Sequence, residues 1–581
     1  MKITIAKTAG FCMGVRRAVD MVLDAANSTN DPICTYGPLI HNPQVLKMLE
    51  DKGIPAISRI PETAKGTVLI RAHGVPPESQ HELEQAGFKV INATCPRVIR
   101  VQTIIRKHAE KGYATIIIGD RDHPEVKGLM GYSAGKGHTV CSMEELADLP
   151  CFEKAVIVAQ TTQDTSLYDD VKKWATINHP HYKLFDTICD STEKRQAEVR
   201  QIARTHDAVV VVGGKESGNT KRLAQIASET GKFYVHIEDI SELEKSHLQQ
   251  LGSAESIAIT AGASTPNWII NKTFRSLETE LDKKDRAISS SLIVMSRQIR
   301  NFLLRTNLLL AAGAGSMTYA CSKLQNMEHI LIHSFIAMLY VLSMQIMNNL
   351  FSISSDRYNN PERADFYERH KKSLSATAFL AGATGIYLSF STAMLPFIIL
   401  SVMSMLGLLY NQKLFSASFR GRKISRIKDI PGSKTFLIAV AWGSVTSLLP
   451  ALSRPDPDVV SFAFVVPFVF TTALLFARTA FFALLEIQGD RITGKETLPI
   501  ILGEKRTKKL IHNSLYIAAL IIFISTLTGI IPKTGLLTAL IPLSMIYLVK
   551  LHEKGALYPG MHLEFIMESH FLLSGFLVLF T

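Results

Sequence analysis

Residues 8–19, TAGFCMGVRRAV, place one cysteine, Cys12, between two glycines, just after the strand-like MKITIAK of residues 1–7 and at the start of a helix-like run. No second cysteine follows at two or four residues, so a compact local metal motif is excluded. Two other cysteines share the setting: Cys95 in FKVINATCPRV (88–98) and Cys189 in KLFDTICDSTEKR (183–195). Each follows a strand-like run and opens a helix-like one. The separations, 83 and then 94 residues, are those of a recurring α/β unit. Structural zinc sites close on four ligands, and electron-transfer iron–sulfur clusters are normally held by four cysteines. Three thiolates converging from three strand ends would leave one iron for substrate. On spacing alone, three small residues buried behind strands fit equally well. Cys34, Cys141, Cys151 and Cys321 lack this setting.

Composition divides the 581-residue chain in two. Up to about Lys284 short apolar runs alternate with charged helical segments, and from Phe302 onward apolar stretches dominate. A transmembrane helix needs about 20 mostly apolar residues. Nine stretches approach this: 302–320, 329–351, 373–391, 395–410, 434–452, 461–485, 514–531, 535–551 and 565–581. Every second loop is basic, as in Arg357, Arg363, Arg369, Lys371 and Lys372 after the second stretch. The positive-inside rule makes those loops cytoplasmic, together with the amino-terminal half. The net charge of +12 is then a matter of topology and not a nucleic-acid footprint. The chain opens on a strand-like segment, so no signal peptide is expected. A cytoplasmic setting argues against a disulfide framework for the seven cysteines.

Three histidines stand in Gly/Pro-rich turns after strand-like runs, where binding residues concentrate. They are His41 in YGPLIHNPQV, His73 in LIRAHGVPP and His123 in IIIGDRDHPEVKG, with Glu125 two residues beyond the last. VVVVGGKESGNTKRL adds Ser217, Asn219 and Thr220 at a helix start, a natural anion cradle, and ITAGASTPNWII repeats the design with Ser264.

Nine ordered segments over residues 1–283 (GFCMGVRRAV, GPLIHNP, IRAHGV, NATCP, GDRDHPEVKG, QTT, DTICDSTEKRQ, GGKESGNT and TAGASTP) resemble the 4-hydroxy-3-methylbut-2-enyl diphosphate reductases. The resemblance implies three α/β lobes with pseudo-threefold symmetry. It implies a 4Fe-4S cluster on Cys12, Cys95 and Cys189, whose fourth iron takes the substrate hydroxyl. It assigns the diphosphate to His41, His73, Ser217, Asn219 and Ser264, with His123 beside them and Gly218 offering backbone N–H where other members carry a second serine. Protons would come from Glu125, helped by Thr162, and electrons from a ferredoxin, a flavodoxin or a similar carrier. Allylic hydroxyl removal needs a Lewis acid, two electrons and a proton, which this set supplies.

The second half, residues 297–581, is similar to the intramembrane prenyltransferases of the ubiquinone-biosynthesis (UbiA) type, an all-α polytopic fold of about nine helices. QIMNNLFSISSDRYNNPERA (345–364) supplies Asn348, Asp356, Asn360, Pro361 and Arg363. Tyr410 and Lys413 fit the following helix end, and FFALLEIQGDRITGKETLPIILG (481–503) supplies Glu486 and Asp490 one helical turn apart. The resemblance implies Mg2+ and a prenyl diphosphate at these acids, in a lipid bilayer. One departure stands out: Ser352, four residues before Asp356, occupies the stretch where the family carries a second aspartate, and Asn349 also replaces an acid. A catalytically inactive membrane anchor is the competing expectation. Residues 284–296 read as a linker. The whole is expected to be a multi-pass inner-membrane protein with its reductase domain in the cytoplasm.

Overall fold

The computed structural model describes all residues except 1, 30, 286–290, 328–329, 411, 413–416, 420–421, 425, 431, 454–461 and 580–581. The chain forms two compact units, Met1–Ala287 and Ile288–Thr581.

The first unit contains twelve strands in three four-stranded parallel sheets. One lobe uses β2 (Ile33–Tyr36), β3 (Ala56–Ile57), β4 (Thr67–Ile70) and β5 (Lys89–Asn92), in the spatial order β3-β2-β4-β5. The next uses β6 (Ala114–Ile118), β7 (Gly137–Val140), β8 (Ala155–Ala159) and β9 (Lys183–Leu184), in the order β7-β6-β8-β9. The last uses β10 (Ala208–Val212), β11 (Phe233–Ile237) and β12 (Ser256–Ala261), and its fourth strand is β1 (Lys2–Ile5) from the amino terminus, in the order β11-β10-β12-β1. One topology therefore occurs three times, and the third copy is closed by the start of the chain.

The strand sequences explain the layering. β6 (ATIII), β8 (AVIVA) and β10 (AVVVV) are buried throughout, as expected for parallel strands covered on both faces. Each sheet ends on a strand that opens with lysine, namely Lys2, Lys89 and Lys183. A charge at such an edge discourages further pairing.

The second unit is mainly helical. Among the described residues seven helical segments are long and apolar enough to cross a membrane: Ile330–Ser354, Lys371–Thr392, Ser433–Leu452, Phe464–Leu485, Glu504–Leu527, Gly535–Glu553 and Met561–Leu579. Two of the nine expected stretches correspond to shorter helices. One is Met394–Leu409. The other expectation, 302–320, is divided: one helix ends at Arg305 and the next runs from Leu308 to Leu324. Asn307 sits between them at φ 62°, in the left-handed region that asparagine tolerates, and its side chain donates to the Tyr367 hydroxyl. Small residues let the helices approach closely. A Cβ on Gly575 would lie 2.4 Å from Ser316 Oγ, one on Gly313 2.9 Å from Phe571 Cβ, and one on Gly443 3.1 Å from the Phe468 carbonyl oxygen. The expected linker is helical at both ends, with Asn267–Asp285 before it and Ser291–Arg305 within and after it.

Candidate active sites

In the first unit equivalent positions of the three lobes deliver the site. Tyr36, Ile118 and Val212 end the first strand of each lobe. Five residues beyond each stand His41, His123 and Ser217. Ile70, Ala159 and Ala261 end the third strands, and three residues beyond them stand His73, Thr162 and Ser264. After the fourth strands come Cys95, Cys189 and Cys12, each the N-cap of the helix that follows. The backbone N–H of each cysteine donates to a third-strand turn two residues past the strand end: Cys12 to Ala263 O at 3.1 Å, Cys95 to Ala72 O at 2.9 Å and Cys189 to Thr161 O at 3.0 Å. All nine side-chain positions line one cavity, with Glu125, Gly218 and Asn219. His41 and His123 are thus equivalent to each other, whereas His73 belongs with Thr162 and Ser264.

The three imidazoles form a cluster with ring centroids 4.7, 5.4 and 5.7 Å apart. His123 Nδ1 accepts from the Glu125 N–H at 3.1 Å, which leaves its Nε2–H free to donate. The Ser264 hydroxyl reaches the His41 carbonyl at 3.0 Å and the Ser217 hydroxyl at 3.3 Å. His41 Nε2, His73 Nδ1 and both amide atoms of Asn219 are buried without a protein partner. Several orphaned polar atoms around one cavity are the signature of a polar ligand site.

Glu125 is 1% exposed. Its two oxygens accept from Thr161, one from the N–H at 2.7 Å and one from the hydroxyl at 2.8 Å. The partner is therefore Thr161 and not Thr162, whose hydroxyl accepts from Gln160 Nε2 at 2.9 Å. Thr161 and Gln160 were invisible as site residues because QTT does not reveal which threonine turns toward a glutamate 36 positions away.

In the second unit the two acidic segments meet. Asp490 is 1% exposed; its Oδ1 accepts from Asn359 Nδ2 at 3.2 Å and lies 3.5 Å from Lys495 Nζ, while Oδ2 is buried without a partner. The approach needs Gly489, where a Cβ would come within 1.8 Å of Asn359 Oδ1. Glu486 caps the Ile487–Ile492 helix, and its carbonyl accepts from the Asp490 N–H at 2.9 Å. Asp356 lies in electrostatic range of Glu486 and Asp490, and Lys434 and Lys495 act on the same group of acids. Arg363 is paired with Glu564. Asn348, Tyr410 and Lys434 line an apolar cavity of about 340 Å³ with Tyr340, Met344 and Trp442. Asn359, Lys434 and Lys495 carry no motif signal of their own. Lys413 lies outside the described residues.

Residues 3–278 match the family model described as LytB protein, and residues 308–561 match that of the UbiA prenyltransferase family. Over 286 residues, 49% of this chain and all of the relative, the chain is 40% identical to the 4-hydroxy-3-methylbut-2-enyl diphosphate reductase of Geobacter sulfurreducens. The chain belongs to that reductase family. The same enzyme of Nitratidesulfovibrio vulgaris is 42% identical over 284 residues, again its full length and 48% of this chain. Among solved structures, a reductase described as the terminal enzyme of the non-mevalonate pathway is 36% identical, covering 48% of this chain and 100% of that one at a TM-score of 0.38. A UbiA homolog from Aeropyrum pernix is 12% identical, covering 47% and 98% at a TM-score of 0.39.

The electrostatics of the reductase cavity follow from burial. Desolvation, with the nearby Arg71 charge, lowers His41 below the ordinary imidazole value. Desolvation and the other two imidazoles push His73 well below it, and His123 falls to about 4. The triad is therefore neutral near pH 7 until an anion arrives to favour the charged forms. Burial raises Glu125 to about 7, against the opposing pull of the two Thr161 donors. Cys95 and Cys189 are raised first by burial and further by the neighbouring Cys12. Among the described residues the three cysteines do not form a group with ligand atoms within 4.8 Å of one another, whereas His41, His73 and His123 do. Thiols that share a cavity but stand wider than one ion's shell suit a multi-iron cluster better than a single ion. Enzymes of this family are iron–sulfur proteins.

Proposed function

We propose that the reductase half converts 4-hydroxy-3-methylbut-2-enyl diphosphate to isopentenyl and dimethylallyl diphosphate, with Cys12, Cys95 and Cys189 holding a 4Fe-4S cluster. The observation that carries this reading is the meeting of three cysteines, a cradle of orphaned polar atoms and a buried carboxyl group in one cavity. The cluster, when bound, supplies a Lewis-acid iron and reducing electrons. His41, His73, Asn219, Ser217 and Ser264 hold the diphosphate, and the unfilled hydrogen bonds of His41, His73 and Asn219 are the driving force. His123 adds its Nε2–H, and the N-terminus of the Gly218–Ser228 helix adds favourable dipole. Glu125, raised to about 7, is about half protonated at neutral pH and delivers a proton to the allylic carbon or the departing oxygen. Electrons come from a ferredoxin- or flavodoxin-like carrier. Purified full-length protein, loaded with iron and sulfide under anaerobic conditions with a chemical reductant, should consume the hydroxylated diphosphate. A protein that carries the cluster but leaves this compound untouched would be a redox sensor instead.

Gly218 offers a milder check. Its backbone is not left-handed, and a Cβ there would sit 3.5 Å from both His123 Nε2 and Thr162 Oγ1, ordinary contact distances. Gly218→Ser should fold normally and add a hydroxyl to the cradle. A gain of about 1 kcal/mol would lower KM roughly fivefold with kcat little changed. An unchanged KM would remove this turn from the diphosphate site.

For the membrane half we propose prenyl transfer from a prenyl diphosphate to a lipid-soluble acceptor. The chain sits in the inner membrane with the reductase half in the cytoplasm, as the basic loops support. Asp356, Glu486 and Asp490 suit Mg2+, which takes a few carboxylates together with substrate phosphates. The buried Oδ2 of Asp490, left without a partner while Oδ1 is held by Asn359 and Lys495, supports this over an inert anchor, since a buried carboxylate oxygen with no hydrogen bond costs stability without a role. Lys434 and Lys495 would neutralise the diphosphate, and the 340 Å³ cavity would take the chain. Asp490→Asn should cut magnesium-dependent prenyl transfer on the order of 100-fold. Transfer at the wild-type rate would favour the anchor.

A further inference from the structure

Cys151, His179 and His181 form a cluster that the reductase cavity does not use. Cys151 precedes β8, His179 caps the C-terminus of the Thr165–Asn178 helix, and His181 stands just before β9. None of the three lines the cavity. Their ligand atoms nevertheless lie within 4.8 Å of one another, and Cys151 Sγ is 3.8 Å from His179 Nδ1. From these contacts we infer that the reductase half carries a second metal site, for a single Zn2+ or a similar borderline-soft divalent ion, built from one thiolate and two imidazoles.

The frame around the cluster is already rigid. His179-Pro180-His181-Tyr182 is a turn closed by the Tyr182 N–H donating to the His179 carbonyl at 2.9 Å, with proline at its second position. Tyr182 is buried; its hydroxyl accepts from the Phe152 N–H at 2.8 Å, which fixes the chain next to Cys151. The His179 ring stacks on Tyr182 with centroids 4.5 Å apart and planes 7° apart, and Trp174 lies against it at 4.9 Å. His181 Nε2 meets the Phe152 carbonyl at 3.1 Å. As the donor in that bond, Nε2 leaves the lone pair on Nδ1. A carbonyl that fixes the tautomer of a ligating imidazole is the outer-shell arrangement typical of metal sites.

Distances support zinc. Bond lengths of about 2.3 Å to sulfur and 2.0–2.1 Å to nitrogen in a tetrahedron put ligand atoms about 3.3–3.6 Å apart. The Cys151–His179 pair, at 3.8 Å, is already close to that, and the His181 ligand atom lies within 4.8 Å of both. Three protein ligands leave the fourth position to water. Cys151 is exposed, so the ion enters from solvent, and the thiol gives up its proton on binding.

The test uses full-length holoprotein, purified without a polyhistidine tag, with the iron–sulfur cluster loaded. Zinc and iron per chain are measured after titration with Zn2+, and zinc-edge X-ray absorption counts the ligands. One zinc per chain is expected, with one sulfur and two nitrogen ligands and unchanged iron. Cys151→Ser and, separately, His179→Ala should weaken zinc binding on the order of 100-fold, with reductase turnover retained because neither side chain reaches the cavity. Equal zinc affinity in both variants would overturn the site. So would zinc that binds only by displacing iron, or wild-type protein that shows no saturable binding in the micromolar range. If one variant loses its iron through misfolding, His181→Ala takes its place with the same expectation.

Discussion

Gly14→Ala is expected to leave the reductase half nearly without iron, cutting cluster content at least about tenfold and reductase turnover with it. Gly14 lies two residues after Cys12 in the Met13–Ser28 helix. A Cβ at that position would fall 2.4 Å from Cys95 Sγ and 3.0 Å from Cys95 Cβ. The first of these distances is essentially never seen for a real Cβ, so something must move. Cys95 has little freedom: its N–H is held by Ala72 O at 2.9 Å, and Pro96 fixes the start of the next helix. The thiol therefore has to swing away or the two helix starts must separate. Either motion misplaces one of three ligands, where tolerance is about 0.5 Å. Iron and sulfide analysis, with the visible absorbance of the cluster, reads the result. Full iron content in a folded Gly14→Ala protein would mean that Cys95 Sγ does not point where the cluster reading requires.

Glu125→Gln should lower reductase turnover by roughly 10²- to 10⁴-fold while the cluster and substrate affinity persist. The amide can still accept one hydrogen bond from Thr161, so folding is little affected, but it has no proton to give. The pH dependence separates the chemical role from a structural one. Wild-type turnover should fall as pH rises through about 7, where the protonated form of Glu125 is lost. The residual activity of Glu125→Gln should lack that limb. Stability moves with the same proton. The folded value is raised above the ordinary 4.5, so the favourable contribution is complete below that value and is lost as pH rises through about 7. The difference is about 3 kcal/mol at high pH. Glu125→Gln should therefore be the more stable protein above pH 7, as measured by thermal midpoint. A variant that kept wild-type turnover would move the proton source elsewhere.

Much of this was legible in the residues. Hydropathy and basic loops divided the chain, because burial in lipid demands long apolar runs whatever the neighbours. The strand–turn–helix setting of Cys12, Cys95 and Cys189 was equally local, and each proved to be an N-cap. The break at Asn307 was not visible, since an apolar run on both sides hid a left-handed residue held by Tyr367.

What the sequence by itself determined is the set of chemical groups and the local element that carries each one. Only the tertiary structure decided which of these groups meet. It put β1 beside β12, more than 250 residues away, and so completed the third lobe. It paired Glu125 with Thr161 in place of Thr162, set Gly14 against Cys95, and brought Asn359 to Asp490. These contacts join residues that are far apart along the chain, and their geometry depends on strand order and helix approach. Hydrogen bonds and steric limits act over about 3 Å, so a motif can name a residue without fixing its partner.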